Sequence, residues 1–172
     1  SGKGKSTLVH IIYGLRKDYD GSVQVSGKDI QAFSPDDWAE RRQRHFSVVF
    51  QDLRLFSGLT ALENILLKSG LTGETQEEEV RKMAAELGVI DVLENSSETL
   101  SYGQRQRVAI IRALCQPFDF LLLDEPFSHL DDENIRRACQ LIQEKCTRQQ
   151  AGLVLTSFGQ RYFFEYDVEM EL

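Results

Sequence analysis

The sequence predicts an α/β fold in which a mostly parallel sheet is interrupted by a helical subdomain. A glycine-rich loop at residues 1–7 opens an amphipathic helix. Short apolar runs at residues 46–50, 118–123 and 153–155 are typical of buried strands, and residues 59–114 carry mainly helical patterns. Strands therefore lie toward both ends of the chain, with helices between them.

The composition is that of an ordinary globular domain. The 172 residues suit about one domain, and 20 basic against 27 acidic side chains leave a net charge of −7. This balance argues against a general nucleic-acid coat, so we expect no nucleic-acid partner. Three cysteines without a C-x-x-C spacing indicate reduced thiols in the core and a cytosolic setting: Cys115, Cys139 and Cys146. We also expect neither a membrane-spanning segment nor a signal peptide.

The first elements follow from local patterns. One face of the first helix is predicted from four apolar residues, with Gly14 near the helix end: Leu8, Ile11, Ile12 and Leu15. Residues 22–25 alternate as a strand that enters a turn, and residues 46–50 form the first buried strand.

The later elements alternate between helix and strand. Thr75 and Glu78 have the spacing of a capping box, ahead of an apolar helix face that ends before Gly88: Val80, Met83, Ala84 and Leu87. A further helix begins near Gly103. The strand at residues 118–123 is followed by a helical stripe over residues 135–146 and then by the strand at 153–155, which predicts a right-handed crossover.

The glycine loop is the first candidate site. In G-x-x-x-x-G-K-[ST], backbone amides cradle phosphates, the lysine reaches the β- and γ-phosphates, and the hydroxyl holds Mg²⁺. Gly4, Lys5 and Ser6 supply the second half of this motif. The first glycine of the motif would stand two positions before Ser1, so we expect a chain truncated at its N-terminus. The alternative is a disordered terminus rich in Gly, Lys and Ser.

Two carboxylates form the second candidate site. Asp124 and Glu125 directly follow a buried apolar run, and the carboxyl ends of parallel strands are where open α/β sheets bind ligands. One acid in such a pair can support Mg²⁺ while the other orients and deprotonates water. The alternative is a helix cap or a solvated loop acid.

Residues 100–104, Leu-Ser-Tyr-Gly-Gln, are the third candidate site. Small residues at a helix start, where backbone N–H groups point outward, can bind an anion. On these residues alone, a capped helix with a basic face is the better interpretation.

The order of these motifs resembles the ATP-binding cassette (ABC) family of transporter ATPases. Lys5 and Ser6 resemble the end of its Walker A motif, Gln51 its Q-loop, and residues 100–104 its LSGGQ signature. Residues 120–125 resemble its Walker B motif with the catalytic glutamate, and residues 128–131 its D-loop. The resemblance extends from Ser1 to about Thr156 and implies a P-loop NTPase core.

The resemblance implies a role for each matching residue. The ATP-binding residues would be Gly2, Gly4, Lys5, Ser6 and Thr7. Mg²⁺ would be held by Ser6, Gln51 and Asp124. The catalytic residues would be Glu125, as the general base, and Gln51. The signature residues that reach ATP on a second copy, or on a homologous subunit, would be Ser101, Gly103 and Gln104.

The resemblance also implies an organisation and partners. The P-loop core would comprise residues 1–50 and 115–172, and the helical signature subdomain residues 51–114. A membrane-spanning permease would contact Gln51 and residues 53–59, and would hold the protein on the cytoplasmic side of the membrane. Leu55, Phe56 and Leu59 are either apolar contacts for that partner or core residues.

Three features depart from the family pattern. Tyr102 replaces a glycine of the signature. The family's switch histidine, which follows the last core strand, is replaced by Ser157 or Phe158, since the chain's histidines (His10, His45 and His129) lie elsewhere. Upstream of the loop, the feeding strand and the aromatic residue that stacks on adenine are not present in the sequence.

We therefore predict an ATP-binding subunit of an ABC transporter that binds and hydrolyses MgATP in a head-to-tail dimer to drive transport. The alternative is a catalytically impaired nucleotide-binding regulatory subunit or a truncated, nonfunctional copy. A chromosome-associated ATPase is disfavoured because Lys5 and Asp124 lie too close in sequence for a long coiled coil between them.

Overall fold

A parallel sheet of three strands occupies the centre of the protein. The computed structural model describes residues 4–73 and 75–171. The sheet strands are β3 (Phe46–Val49), β4 (Phe120–Asp124) and β5 (Gly152–Thr156), in the order β3-β4-β5. Both pairings are parallel, with Val49 beside Leu123 and Asp124 beside Thr156. The predicted parallel sheet is confirmed.

A small hairpin precedes the sheet. Strands β1 (Gln24–Val25) and β2 (Lys28–Asp29) pair antiparallel, so the strand predicted at residues 22–25 is real but shorter. Ser26 and Gly27 both have positive φ, at 52° and 76°, which is the backbone that a two-residue hairpin turn needs.

Helix α1 (Lys5–Ile12) starts immediately after Gly4. It buries Val9 and Ile11, whereas Leu15, predicted to lie on the buried face, is 42% exposed. The prediction for Leu15 is wrong because the helix ends at Ile12, and Gly14 then turns the chain through a left-handed conformation with φ of 72°.

Helix α2 (Pro35–Arg44) was not predicted. Its start is a capping box in which Ser34 and Asp37 each bond the other's backbone N–H, with Pro35 at the first helical position. This Ser-Pro-Asp-Asp pattern is the sequence signal that could have identified it.

The helices predicted between residues 59 and 114 are present as α3 (Ala61–Thr72), α4 (Glu77–Glu86) and α5 (Tyr102–Leu114). The apolar face of α4 is buried as predicted, but the capping box from Thr75 to Glu78 is wrong. Gln76 takes the N-cap position, while Thr75 is buried and its carbonyl accepts a hydrogen bond from the Ser69 hydroxyl. Thr75 therefore closes the end of α3 rather than the start of α4.

Helix α6 (Asp132–Gln149) connects β4 to β5 and completes two apolar layers. On one face of the sheet, Leu122 packs with residues of α1 and α2, among them Val9 and Trp38. On the other face, Leu121 and Leu123 join a larger cluster from α3 to α6. Alternation along β4 therefore buries the strand from both sides, as expected for a parallel sheet.

The three cysteines are free thiols buried in this core, as predicted. Among residues 4–73 and 75–171, no helix is both long enough and apolar enough to cross a membrane.

Gly14 gives the first testable prediction. A Cβ atom at Gly14 would lie 2.4 Å from the Trp38 ring, in addition to the strain of its positive φ. Gly14→Ala should therefore lower the free energy of unfolding by about 2–4 kcal/mol, measured by urea denaturation.

The matched control is Gly70→Ala in α3, where a Cβ atom would meet no described atom within 4 Å beyond the backbone of its own helix. This change should stabilise the protein by about 0.5–1 kcal/mol, because alanine loses less backbone entropy in a helix than glycine does. Equal effects of the two substitutions would contradict the close packing of Gly14 against Trp38.

Candidate functional site

The candidate site lies at the carboxyl ends of β4 and β5, beside the start of α1. Asp124, the last residue of β4, is 1% exposed, and its Oδ1 accepts a hydrogen bond of 2.7 Å from the Thr156 hydroxyl. The parallel register places these two residues side by side. Thr156 thus fixes the orientation of the Asp124 carboxylate.

Glu125 follows Asp124 and leaves the strand through a left-handed backbone conformation, with φ of 51°. Its backbone N–H donates to the Thr156 carbonyl at 3.3 Å. The side chain is buried, and its Oε1 has no hydrogen-bond partner in the part of the chain that the structure describes. Loss of contact with water raises the pKa of Glu125, opposed by the charge of Lys5 and reinforced by that of Asp124.

The glycine loop and the start of α1 lie next to these carboxylates, with the Lys5 charge close enough to affect Glu125. Gly4, with φ of 92°, is the N-cap of α1, and Lys5, Ser6 and Thr7 form the half-buried first turn. The amides of that turn and the helix dipole favour an anion at this position. Gly2, predicted to bind ATP, lies outside the described residues.

Phe158 connects the two sides of the site. The Lys5 ammonium lies 5.1 Å from the centre of the Phe158 ring, and the Phe158 backbone acts to lower the pKa of the Glu125 carboxyl, against the larger effect of burial. The Ser157 hydroxyl instead donates to the Gln160 carbonyl at 2.6 Å. Of the two residues considered for the switch position, Phe158 is the one whose side chain contacts Lys5.

Gln51 follows β3 in an exposed loop. Leu53 and Arg54 both have positive φ, at 59° and 46°, which is strained for residues other than glycine. The Arg112 guanidinium donates to the carbonyls of Arg54 at 2.7 Å and of Leu53 at 2.5 Å. Helix α5 therefore holds the loop that carries Gln51.

The signature residues stand at the amino end of α5. Ser101 is its N-cap, and Ser101 and Gln104 form a capping box in which each side chain bonds the other's backbone N–H. Gly103 lies in the first turn. Among the described residues, no hydrogen bond joins Ser101, Gly103 or Gln104 to Lys5, Asp124 or Glu125.

Four side chains near the site were not identified from the sequence. Thr156 holds Asp124, and Gln106 bonds Ser128 and the backbone of His129. Tyr162 packs on Phe127, and burial, followed by the charge of Glu125, raises its pKa. Arg112 fixes residues 53 and 54. Only Thr156 had a sequence signal: it is a hydroxyl residue at the end of an apolar strand next to the one that carries the acids.

A helix opened by a lysine-containing glycine loop, next to a parallel strand that ends in two acids, defines a P-loop nucleoside triphosphatase. A sequence model of the family described as ABC transporter matches residues 1–128, and the chain belongs to this family.

The chain is similar to ATP-binding proteins of both export and import systems and to a solved ABC cassette. The macrolide export ATP-binding/permease protein MacB of Psychrobacter cryohalolentis is 35% identical over 147 residues, which cover 84% of this chain and 22% of that protein. The thiamine import ATP-binding protein ThiQ of Vibrio cholerae is 37% identical over 160 residues, which cover 91% of this chain and 65% of that protein.

The third relative, MJ0796, has a dimeric structure as a bacterial ABC transporter cassette. It matches with a TM-score of 0.79 and 29% identity, covering 91% of this chain and 71% of that one. A second dimeric structure of MJ0796, in a post-hydrolysis state with ADP and Pi, matches with a TM-score of 0.77. The chain thus spans about a fifth of MacB and about two thirds of ThiQ.

The raised pKa of Glu125 predicts a pH-dependent change in stability. The folded protein holds this proton more tightly than the unfolded chain, so ionisation costs stability as the pH rises from about 4.3 through the folded-state value. Glu125→Gln removes that cost, and thermal unfolding at pH 7 should show a melting temperature raised by about 2 °C or more.

The gain should vanish below about pH 4, where Glu125 is protonated in both folded and unfolded chains. Ser128→Ala is a control in an exposed neighbour that does not titrate. A gain that is absent at pH 7, or equally large at pH 4, would contradict the effect of burial on Glu125.

Proposed function

We propose that this protein binds MgATP and hydrolyses it as the ATPase subunit of an ABC transporter. The observation that carries the proposal is the meeting of Lys5, Asp124 and Glu125 at one end of the parallel sheet in a chain of this family. Lys5 and the first turn of α1 supply positive potential for the phosphates. Glu125 supplies a carboxylate with a buried oxygen that no described residue hydrogen-bonds, which is available to the attacking water.

The chemistry of the side chains fits a magnesium ion at this position. The Ser6 hydroxyl, the Gln51 amide oxygen and the Asp124 carboxylate are oxygen ligands of the kind that Mg²⁺ prefers, and Thr156 already orients Asp124. When bound, Mg²⁺ would neutralise charge on the phosphates. The burial that raises the pKa of Glu125 also makes it a stronger base than an exposed glutamate.

A second cassette would complete the site. Ser101 is exposed at the amino end of α5, where backbone N–H groups can reach an anion on a partner. We propose that Ser101, Gly103 and Gln104 contact ATP bound to a second copy or to a homologous subunit. The dimeric structures of MJ0796 support this arrangement.

A membrane-spanning partner would contact α2, α3 and residues 53–59, and would hold the protein at the cytoplasmic face of the membrane. Phe56 is 59% exposed and Leu71 is 65% exposed, both without cover in the described part of the chain. A cavity of about 250 Å³ opens between α2 and α3, lined by Ala39, Arg42, Gln43, Lys68, Leu71, Thr72 and Gln116. Leu71 lines this cavity, so an exposed apolar side chain is available there for a protein partner.

We also propose the division into a P-loop core, residues 1–50 and 115–172, and a helical subdomain, residues 51–114. Helix α5 would link the two, because the buried Ser47 hydroxyl of β3 donates to the Ala113 carbonyl at 2.6 Å.

The third testable prediction separates binding from hydrolysis. In the full-length protein, Glu125→Gln should keep ATP affinity and lower kcat by roughly 10²–10⁴-fold, since it removes only the base. The acid limb of the pH profile of kcat/KM should lie above the ordinary glutamate pKa of about 4.3 and disappear in the variant.

Lys5→Ala is the matched comparison. It removes a cation from the phosphate site, so calorimetry should show weaker ATP binding. Unchanged hydrolysis by Glu125→Gln would overturn the assignment of the base.

A second candidate function is a nucleotide-binding regulatory subunit with little turnover. Phe158 favours it, because a phenylalanine in contact with Lys5 supplies neither a hydrogen-bond donor nor a charge to the γ-phosphate. Loss of one preorganised donor costs about 10²–10³ in rate in a well-measured case.

Phe158→His therefore distinguishes the two functions. We expect it to raise steady-state ATPase activity tenfold or more with the partner subunit present. Ser157→His is the control and should change little, because that side chain faces Gln160. Wild-type turnover already typical of transporters, and unaltered by both substitutions, would show that another group serves the switch position.

A further inference from the structure

We infer that Tyr102 is a positioning residue that couples the Q-loop, residues 51–54, to the D-loop, residues 128–131. This inference rests on the proposed function, because both loops would act at the ATP site. It arises from a departure in the sequence: a tyrosine stands where the family has a glycine in the signature.

The hydroxyl of Tyr102 holds the Q-loop. It donates a hydrogen bond of 2.9 Å to the backbone carbonyl of Gln51, the residue proposed to reach Mg²⁺. Ten residues further along α5, Arg112 bonds the carbonyls of Leu53 and Arg54. The same helix therefore fixes this loop at its beginning and at its end, and the two strained residues, Leu53 and Arg54, are the ones whose carbonyls Arg112 holds.

The ring of Tyr102 contacts the D-loop. Its centre lies 4.1 Å from that of the His129 ring. The neighbouring residue Gly103 keeps this loop close, since a Cβ atom there would stand 3.0 Å from the His129 carbonyl oxygen. Buried Gln106 adds two hydrogen bonds, to the Ser128 hydroxyl at 3.1 Å and from the His129 backbone N–H at 3.2 Å.

Tyr102 therefore contacts both loops from the signature segment: its hydroxyl bonds the Q-loop and its ring packs on the D-loop. A glycine at this position has neither a hydroxyl nor a ring. Tyr102 also follows Ser101, the residue proposed to contact ATP on the second copy. A displacement of the Q-loop on phosphate binding would be passed through one rigid side chain to the D-loop and to the signature.

Three variants of the full-length protein separate these contacts. Tyr102→Phe removes the hydroxyl and keeps the ring, and Tyr102→Leu removes both. Tyr166→Phe is the matched control, because its hydroxyl also bonds a backbone group, the N–H of Tyr162 at 3.0 Å, and makes no hydrogen bond to residues 51–54 or 128–131. The measurements are amide hydrogen exchange without nucleotide, the melting temperature, the Kd for MgATP and kcat.

We expect the hydrogen-exchange rate of the Q-loop amides to rise about three- to tenfold in Tyr102→Phe, because loss of one hydrogen bond makes local opening of the loop more favourable by that factor. The exchange rate of the D-loop amides should not change. In Tyr102→Leu, exchange should rise in both loops. In both variants we expect kcat to fall by about the same three- to tenfold factor. The Kd for MgATP should stay within about twofold of the wild-type value. A purely structural role would shift the melting temperature and exchange throughout the protein instead.

Two results would overturn the inference. The first is that Tyr102→Phe shows the same Q-loop exchange rates and the same kcat as the control Tyr166→Phe. The other is exchange in Tyr102→Leu that rises in the Q-loop alone, which would show that the ring does not restrain the D-loop. If the wild-type protein does not hydrolyse ATP, the proposed function fails, whereas the exchange measurements still decide whether Tyr102 couples the loops.

Discussion

Burial of β4 on both faces is the constraint on which the rest of the structure depends. Leu121, Leu122 and Leu123 are fully buried because helices cover both sides of the sheet. The strand must still end in polar residues where the chain leaves the sheet. Asp124 and Glu125 therefore emerge at an edge from which the same packing has removed most of the water. The environment that gives the site its chemistry follows directly from the core.

Both carboxylates depend on β5 for their geometry. Asp124 accepts a hydrogen bond from the side chain of Thr156, and the backbone N–H of Glu125 donates to the carbonyl of the same residue. A left-handed glutamate costs about 1–2 kcal/mol, and a buried oxygen that finds no hydrogen-bond partner, as for Glu125 within residues 4–73 and 75–171, costs about 1–3 kcal/mol. These costs persist because the apolar packing of the strand offsets them, and an acceptor beside Lys5 that has no partner among the described residues suits the proposed base for water.

Patterns confined to neighbouring residues were predictable, whereas contacts between distant segments were not. The three sheet strands were found because a buried parallel strand is a continuous apolar run. The Thr75 capping box was wrong because α4 begins one residue later: Gln76 is its N-cap and makes no side-chain capping hydrogen bond. The site residues Lys5, Asp124 and Glu125 belong to local motifs. Thr156 and Tyr102 bond residues 32 and 51 positions away, and local periodicity carries no information on such pairs.

Helix α5 unites the remaining contacts, because successive turns bond different elements. These side chains are Tyr102 to the Q-loop, Gln106 to the D-loop, Arg107 to the end of α4 and to α6, and Arg112 again to the Q-loop. From residue 102 to residue 112 the helix spans about 15 Å. A helix that is bonded to several loops at once cannot shift with one loop without straining its contacts to the others. On the proposed coupling, a displacement of the Q-loop large enough to move α5 would therefore also move Ser101 and the D-loop.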